Sequence, residues 1–256
     1  MAETIPEDGP VPALVLRGVS KAFGGLKVIQ DLSLAVHAGE RKGIIGPNGA
    51  GKTTLFNLIT GMLPPSQGHI ELFGREVSRW PSHRRAALGM ARTFQITTLF
   101  PKLSVLDNVL LAVQGLRSLK LSMWRFQSAY PEVQAKARDL LQRTGFWDRR
   151  NAEVRHLSHG EQRQIEVVLA LASDPKLLLL DEPVAGLSVA ESKELGVFLN
   201  GLDRTLTILM IEHDMDLAFS VVNSMAVLHS GTLVEDGTPE QIRRSDRVRE
   251  LYLGTA

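Results

Sequence analysis

The most chemically informative stretch of this chain is Gly46-Pro47-Asn48-Gly49-Ala50-Gly51-Lys52-Thr53, followed by Thr54. It matches G-x-x-x-x-G-K-[S/T] at every fixed position. Glycines at 49 and 51 let backbone N–H groups turn inward on an anion where a Cβ would block the approach. A helix starting near Lys52 adds its N-terminal partial positive charge. Lys52 places a mobile ammonium on β- and γ-phosphates, and the Thr53 hydroxyl is a hard oxygen ligand for magnesium. Gly46, Asn48, Ala50 and Thr54 complete the predicted cradle for a nucleotide's phosphates with Mg2+, a loop that by itself does not choose among kinases, GTPases and motors. A second stretch, Leu177-Leu178-Leu179-Leu180-Asp181-Glu182-Pro183, delivers two adjacent carboxylates at the end of an apolar run. Successive strand residues face opposite ways, so the two acids have different tasks. Asp181 suits magnesium, directly or through water, and Glu182 suits polarising an attacking water as general base.

Such groups work only if secondary structure holds them. Arg41-Lys42-Gly43-Ile44-Ile45 reads as a short strand running into the glycine loop, and Leu55, Leu58 and Ile59 fall at helical spacing after it. The runs 177–180 and 206–211 are apolar throughout, as for parallel strands covered on both faces. Before the loop, Leu14-Val15-Leu16 and Leu32-Ser33-Leu34-Ala35-Val36 flank Gly24-Gly25, an antiparallel pattern. Leu106, Val109, Leu110 and Val113 fit one helix, and 133–144 fits another that Gly145 stops. Residues 227–234 read as a hairpin across Ser230-Gly231. Thr238, Pro239 and Gln241 then offer an N-cap, a first-turn proline and a capping-box residue to a last helix. The order predicts one α/β domain over 1–256. Its parts are a tail at 1–12, a nucleotide-binding core with an antiparallel part at 13–96 and 156–256, and a helical insert at 97–155.

Bulk properties narrow the classes. The chain has 256 residues, 44% of them hydrophobic, with 29 Lys plus Arg against 28 Asp plus Glu. A net charge of +1 lacks the basic excess of nucleic-acid binders, so no nucleic-acid partner is expected. With no cysteine there are no disulfides or thiolate metal sites. No apolar run approaches the ~20 residues of a membrane-crossing helix. The start, Met1 to Asp8, is acidic and broken by Pro6, unlike a secretory leader.

Three further motifs sharpen the reading. Leu157-Ser158-His159-Gly160-Glu161-Gln162 precedes a helical run with Ile165, Val168, Leu169 and Ala172 on one face. Taken alone, Ser158 and Glu161 form a helix-capping box. Placed shortly before the acidic strand, the stretch resembles the LSGGQ signature of the ABC ATPase family. His213, in Ile211-Glu212-His213-Asp214, matches that family's switch histidine, and Gln95, in Arg92-Thr93-Phe94-Gln95, its Q-loop glutamine. Phe23 matches the aromatic that stacks on adenine, or is a core residue beneath the early strands. The resemblance runs from Leu14 to Gly254 with the motifs in order.

The resemblance implies a RecA-like phosphate-loop core that hydrolyses ATP, with Glu182, His213 and Gln95 as catalytic residues and Thr53, Gln95 and Asp181 around the metal. It also implies head-to-tail pairing with a second ABC ATPase subunit, identical or not. Ser158, Gly160 and Glu161 then face the nucleotide held by the partner's phosphate loop, and ATP-driven closure powers two transmembrane permease subunits. The expected location is the cytoplasmic face of the membrane. His159 and Glu161 depart from the signature consensus, and Ser188, in Ala185-Gly186-Leu187-Ser188, replaces the usual D-loop aspartate. Phe23-Gly24-Gly25-Leu26, the Arg-Thr-Phe-Gln context, residues 99–105, the 114–130 stretch and Tyr252-Leu253-Gly254 resemble the importer branch for branched-chain and other hydrophobic amino acids. That branch works with a solute-binding protein; urea and amide importers use close relatives. A soluble ABC ATPase acting on DNA or ribosomes fits less well, because the chain has one phosphate loop, no cysteine and no heptad run.

Overall fold

The computed structural model describes residues 11–93, 99–115 and 131–253. The sequence readings that rest on Gln95 and Phe94, on most of 114–130, and on the Tyr252 and Leu253 side chains and Gly254 lie outside the described residues and side chains. Two compact units emerge: 1–92 with 176–182 and 203–256, and 93–175 with 183–202.

The first unit is built on two sheets. One is antiparallel in the order β2-β1-β4-β5, comprising β1 (Leu14–Phe23), β2 (Leu26–Val36), β4 (Gln67–Leu72) and β5 (Arg75–Glu76). Its first hairpin turns at Gly24, whose φ of 57° favours glycine, and pairs Phe23 with Leu26. The other sheet has the order β10-β9-β3-β8-β7-β6. Its strands are β3 (Arg41–Ile45), β6 (Met90–Arg92), β7 (Leu177–Asp181), β8 (Thr207–Ile211), β9 (Ser224–His229) and β10 (Thr232–Gly237). All its pairings are parallel except β9–β10. Every residue of β3, β7 and β8 is buried, which is why 177–180 and 208–211 read as apolar runs rather than alternating ones; β3 instead opens with the buried Arg41 and Lys42, the latter paired with Asp236.

Helix α1 (Lys52–Thr60) packs Leu55, Phe56, Leu58 and Ile59 into a core shared with Leu14, Ile29, Ile44, Leu177 and Leu209. Its C-terminus is closed by Arg85 of α2 (Ser82–Ala87). This side chain is fully buried and donates from Nη1 to the Leu58 and Ile59 carbonyls at 2.7 Å each, from Nε to Trp80 and from Nη2 to Ser78. Burial lowers its pKa to about 10, so it keeps its charge at neutral pH and offsets the negative end of α1. The sequence pattern expected a single last helix after the hairpin. The capping box of Thr238 and Gln241 is present on α8 (Pro239–Arg244), but Ser245 adopts an extended conformation and α9 (Asp246–Leu253) follows. The Ser245 hydroxyl, bonded to Glu235, accepts from Val248 N–H and starts the second helix. Helix α7 (Met215–Val221) completes this unit and is capped by Asp214.

The second unit has its own core. Helices α3 (Val105–Gly115), α4 (Pro131–Arg143) and α5 (His159–Leu171) contribute Val109, Val113, Ala137, Leu141, Ile165 and Val168 to it. Phe198 of α6 (Val189–Gly201) packs against Phe146 edge-on, with ring centroids 6.3 Å apart. The unit thus extends beyond 97–155, because the apolar face of α5 is buried on the insert helices.

Candidate nucleotide site

Helix α1 begins directly after the glycine loop. Its N-cap is Gly51, in a left-handed conformation with φ 101°, and no side chain caps its first amides. No acidic residue stands in its first turn. With no acid in its own first turn and no side-chain cap, the helix N-terminus offers its N–H groups to an outside anion. The glycines of the loop serve different ends. A Cβ on Gly49 would meet nothing within 4 Å, so this position is open on the ligand side. A Cβ on Gly51 would lie 2.8 Å from Ile29 Cδ1 and 3.0 Å from the Val28 carbonyl oxygen, so its small size serves the fold rather than the phosphate approach. The turn between β9 and β10 braces the loop from outside, as Gly231 N–H donates to the Ala50 carbonyl at 3.0 Å.

Lys52 is buried, and its Nζ donates to the carbonyls of Gly46 at 2.6 Å and Pro47 at 3.1 Å. Burial lowers its pKa, while the nearby carboxylates of Glu182 and then Asp181 pull it back up. That coupling brings the phosphate-loop lysine and the two predicted acids into one neighbourhood. Thr53 is exposed, while Ala50 is buried and Asn48 exposed on the loop.

Asp181 ends β7 opposite Ile211 of β8, and Glu182 N–H donates to the Ile211 carbonyl at 3.0 Å. Glu182 holds a φ of 47°, a left-handed conformation unusual for a residue with a side chain, at the point where the strand stops. Asp181 is 4% exposed. Its Oδ2 accepts from Arg92 Nη2 at 2.6 Å, and among the described residues no hydrogen-bond donor reaches its buried Oδ1. An unpartnered buried carboxylate oxygen is the kind of hard donor that magnesium or its bound water takes. The described residues hold no cluster of three or more His, Asp or Glu able to cage a metal alone.

His213 lies two residues beyond β8, with its side chain 58% exposed, and its backbone N–H donates to the fully buried Glu212 at 3.1 Å. Phe23, at the end of β1, is 47% exposed with Lys21 Nζ 5.2 Å from its ring centroid, so it is not a core residue.

The N-terminus of α5 is built differently. Ser158 Oγ accepts from Glu161 N–H at 3.1 Å, and Glu161 Oε2 accepts from Ser158 N–H at 2.9 Å, the reciprocal capping box. Gly160 N–H donates to Glu191 Oε1 at 3.1 Å. Glu191 belongs to a second capping box, with its Oε2 accepting from Ser188 N–H and Ser188 Oγ. These bonds, from Ser188 first and then Gly160, hold the Glu191 carboxyl below the usual range. A Cβ on Gly160 would lie 3.0 Å from Glu191 Cβ, so any larger residue there must displace the Glu191 side chain that bonds its own N–H. Ser188 thus acts as the cap of α6. Arg92, Gly231 and Glu191 were not singled out by motif, since their partners are remote in sequence.

The family model described as ABC transporter matches residues 29–185. This chain is an ATP-binding cassette of the ABC transporter family. It is 38% identical, over 96% of its length and 99% of the relative's, to the high-affinity branched-chain amino acid transport ATP-binding protein LivG of Salmonella typhimurium. It is 35% identical to BraF of Pseudomonas aeruginosa, which carries the same description, with 96% of this chain and 99% of BraF covered. Among solved structures, the ADP conformation of an ATP-binding cassette of an ABC transporter superposes with a TM-score of 0.83 at 25% identity, covering 95% of this cassette and 99% of that one. The chain is thus an ABC-type ATPase. Among the described residues no helix is long and apolar enough to cross a membrane.

Proposed function

We propose that this cassette binds ATP with magnesium at residues 46–54 and hydrolyses the nucleotide to drive import of branched-chain or other hydrophobic amino acids. The observation that carries the reading is the near full-length identity to LivG and BraF, combined with the Lys52–Glu182–Asp181 neighbourhood. Phe23, exposed at the end of β1, stacks on the adenine. Backbone amides of the loop and the N-terminus of α1 hold the phosphate chain, and Lys52 leaves the carbonyls of Gly46 and Pro47 for the phosphate oxygens. Thr53, Asp181 and Gln95 would hold the magnesium, which when bound would neutralise charge on the phosphates. Glu182 accepts the proton of the attacking water, and His213 and Gln95 position that water against the γ-phosphate.

The cassette works in a head-to-tail pair with a second ABC ATPase subunit. Ser158, Gly160 and Glu161 of one chain face the nucleotide held by the other, so closure of the pair depends on ATP. Two membrane-spanning permease subunits take up the motion, a solute-binding protein delivers the amino acid, and the pair sits on the cytoplasmic face of the membrane.

The test is uptake of labelled leucine by cells lacking the chromosomal copy and carrying either this chain or its Lys52→Ala variant. Uptake that requires Lys52 supports the importer and its solute class together. Uptake indifferent to Lys52 removes the solute class, and urea, amides and aromatic acids are then assayed in the same strains.

A further inference from the structure

Asp181, the acid placed next to the metal, is already paired with a cation of this chain. Arg92 Nη2 lies 2.6 Å from Asp181 Oδ2, and the two side chains are 10% and 2% exposed. The guanidinium is fixed from its other side by the helix that follows the phosphate loop. Its Nη1 donates to Asn57 Oδ1 at 2.8 Å, and its Cζ stands 5.6 Å from the Phe56 ring centroid. Arg92 therefore ties together β6, α1 and β7, the last two of which carry Thr53 and Asp181.

We propose that Arg92 is a positioning residue for the metal–nucleotide site. Its charge on Oδ2 leaves Oδ1 as the oxygen open to metal-bound water and holds down the affinity of the site for a divalent cation. This rests on the reading of Asp181 given above. The physical basis is simple. A guanidinium in contact with a carboxylate repels, by Coulomb's law, a divalent cation that approaches the same group. A motor that releases ADP and metal in every cycle turns over faster when its ground state does not hold them tightly. Lys52 adds positive charge to the same neighbourhood, and Glu182 opposes it.

The experiment measures Mn2+ binding by electron paramagnetic resonance to the full chain saturated with ADP, for wild type, Arg92→Lys and Arg92→Gln. Glutamine can donate to Asp181 but carries no charge, whereas lysine keeps the charge. The expected result is Mn2+ held about tenfold more tightly by Arg92→Gln, with Arg92→Lys within about twofold of wild type. Equal or weaker binding by Arg92→Gln overturns the role of Arg92 and leaves the Asp181 reading intact. A wild-type chain that binds no Mn2+ with ADP removes both. If Arg92→Gln does not fold, the Arg92 guanidinium resonances of the wild-type chain, assigned by their loss in Arg92→Lys, serve instead. They shift when Mg2+ joins the ADP complex, and the absence of a shift overturns the proposal.

Discussion

Two helix N-termini in this cassette face the same physical problem and solve it in opposite ways. Each leaves amide donors that no residue of its own helix can satisfy. At α1 the chain supplies nothing: the N-cap is glycine, no side chain caps it, and no acid stands in the first turn. At α5 the chain supplies its own side chains, with Glu161 and Ser158 in a capping box and Glu191 on Gly160 N–H. The helices α6, α7 and α8 are also capped by their own side chains. What the contrast teaches is that an anion site can be recognised by what the sequence withholds. The first end is built to take phosphate within one chain. The second is already capped at rest, so on the proposed pairing it would engage a partner's nucleotide by exchanging ligands.

The largest way to break the comparison is Lys52→Ala. It removes the cation of the α1 end, and ATP affinity should fall about 100-fold or more, measured by equilibrium binding. Next comes Ser158→Arg at the α5 end. Steady-state hydrolysis should fall by about 100-fold or more while ATP affinity of the isolated chain changes by less than about threefold, because the group serves the other subunit's nucleotide. A large loss of affinity in the isolated chain would make Ser158 a cap and nothing more.

Arg85→Met attacks the opposite end of α1. Four carbonyls lose their donor in a buried place, and urea unfolding should show a loss of about 3 kcal/mol. The smallest effect is expected at Ser188→Ala, where one N-cap is lost at a cost of about 1 kcal/mol. The Glu191 link sharpens the same point through pH. Its carboxyl is held below the usual range in the folded chain, so the stabilisation it gives is present at neutral pH and is lost as pH falls through that lowered range. Melting curves at stepwise lower pH should therefore converge for wild type and Glu191→Gln.

The fold was legible where the signal is local. Strands covered on both faces read as apolar runs, and 177–180 and 208–211 do, whereas β3 carries the buried Arg41 and Lys42 ahead of its isoleucines. The capping boxes at Ser158 and Thr238 follow from residues three apart, as does the one at Ser188, which a family consensus of aspartate obscured. The split of the last helix at Ser245 was not legible, because it depends on a tertiary bond to Glu235. At the site, the phosphate loop and the Asp181-Glu182 pair stand out in the sequence by their spacing, and the electrostatic coupling of Lys52 to Glu182 and Asp181 supports reading them together. The role of Gly51 was not legible, since the atoms that forbid a Cβ there belong to β2. Arg92 and Glu191 escaped for the same reason: their partners lie 89 and 31 residues away, and no periodicity announces such contacts.

The central claim is that the α1 end and the acid pair form one catalytic site with Glu182 as base. Single-turnover hydrolysis of γ-labelled ATP, with nucleotide binding measured on the same samples, tests it most directly in wild type and Glu182→Gln. Binding should be preserved while the rate of phosphate release falls about 100- to 10,000-fold. Near-normal hydrolysis by Glu182→Gln would contradict the account and take the role of base away from Glu182.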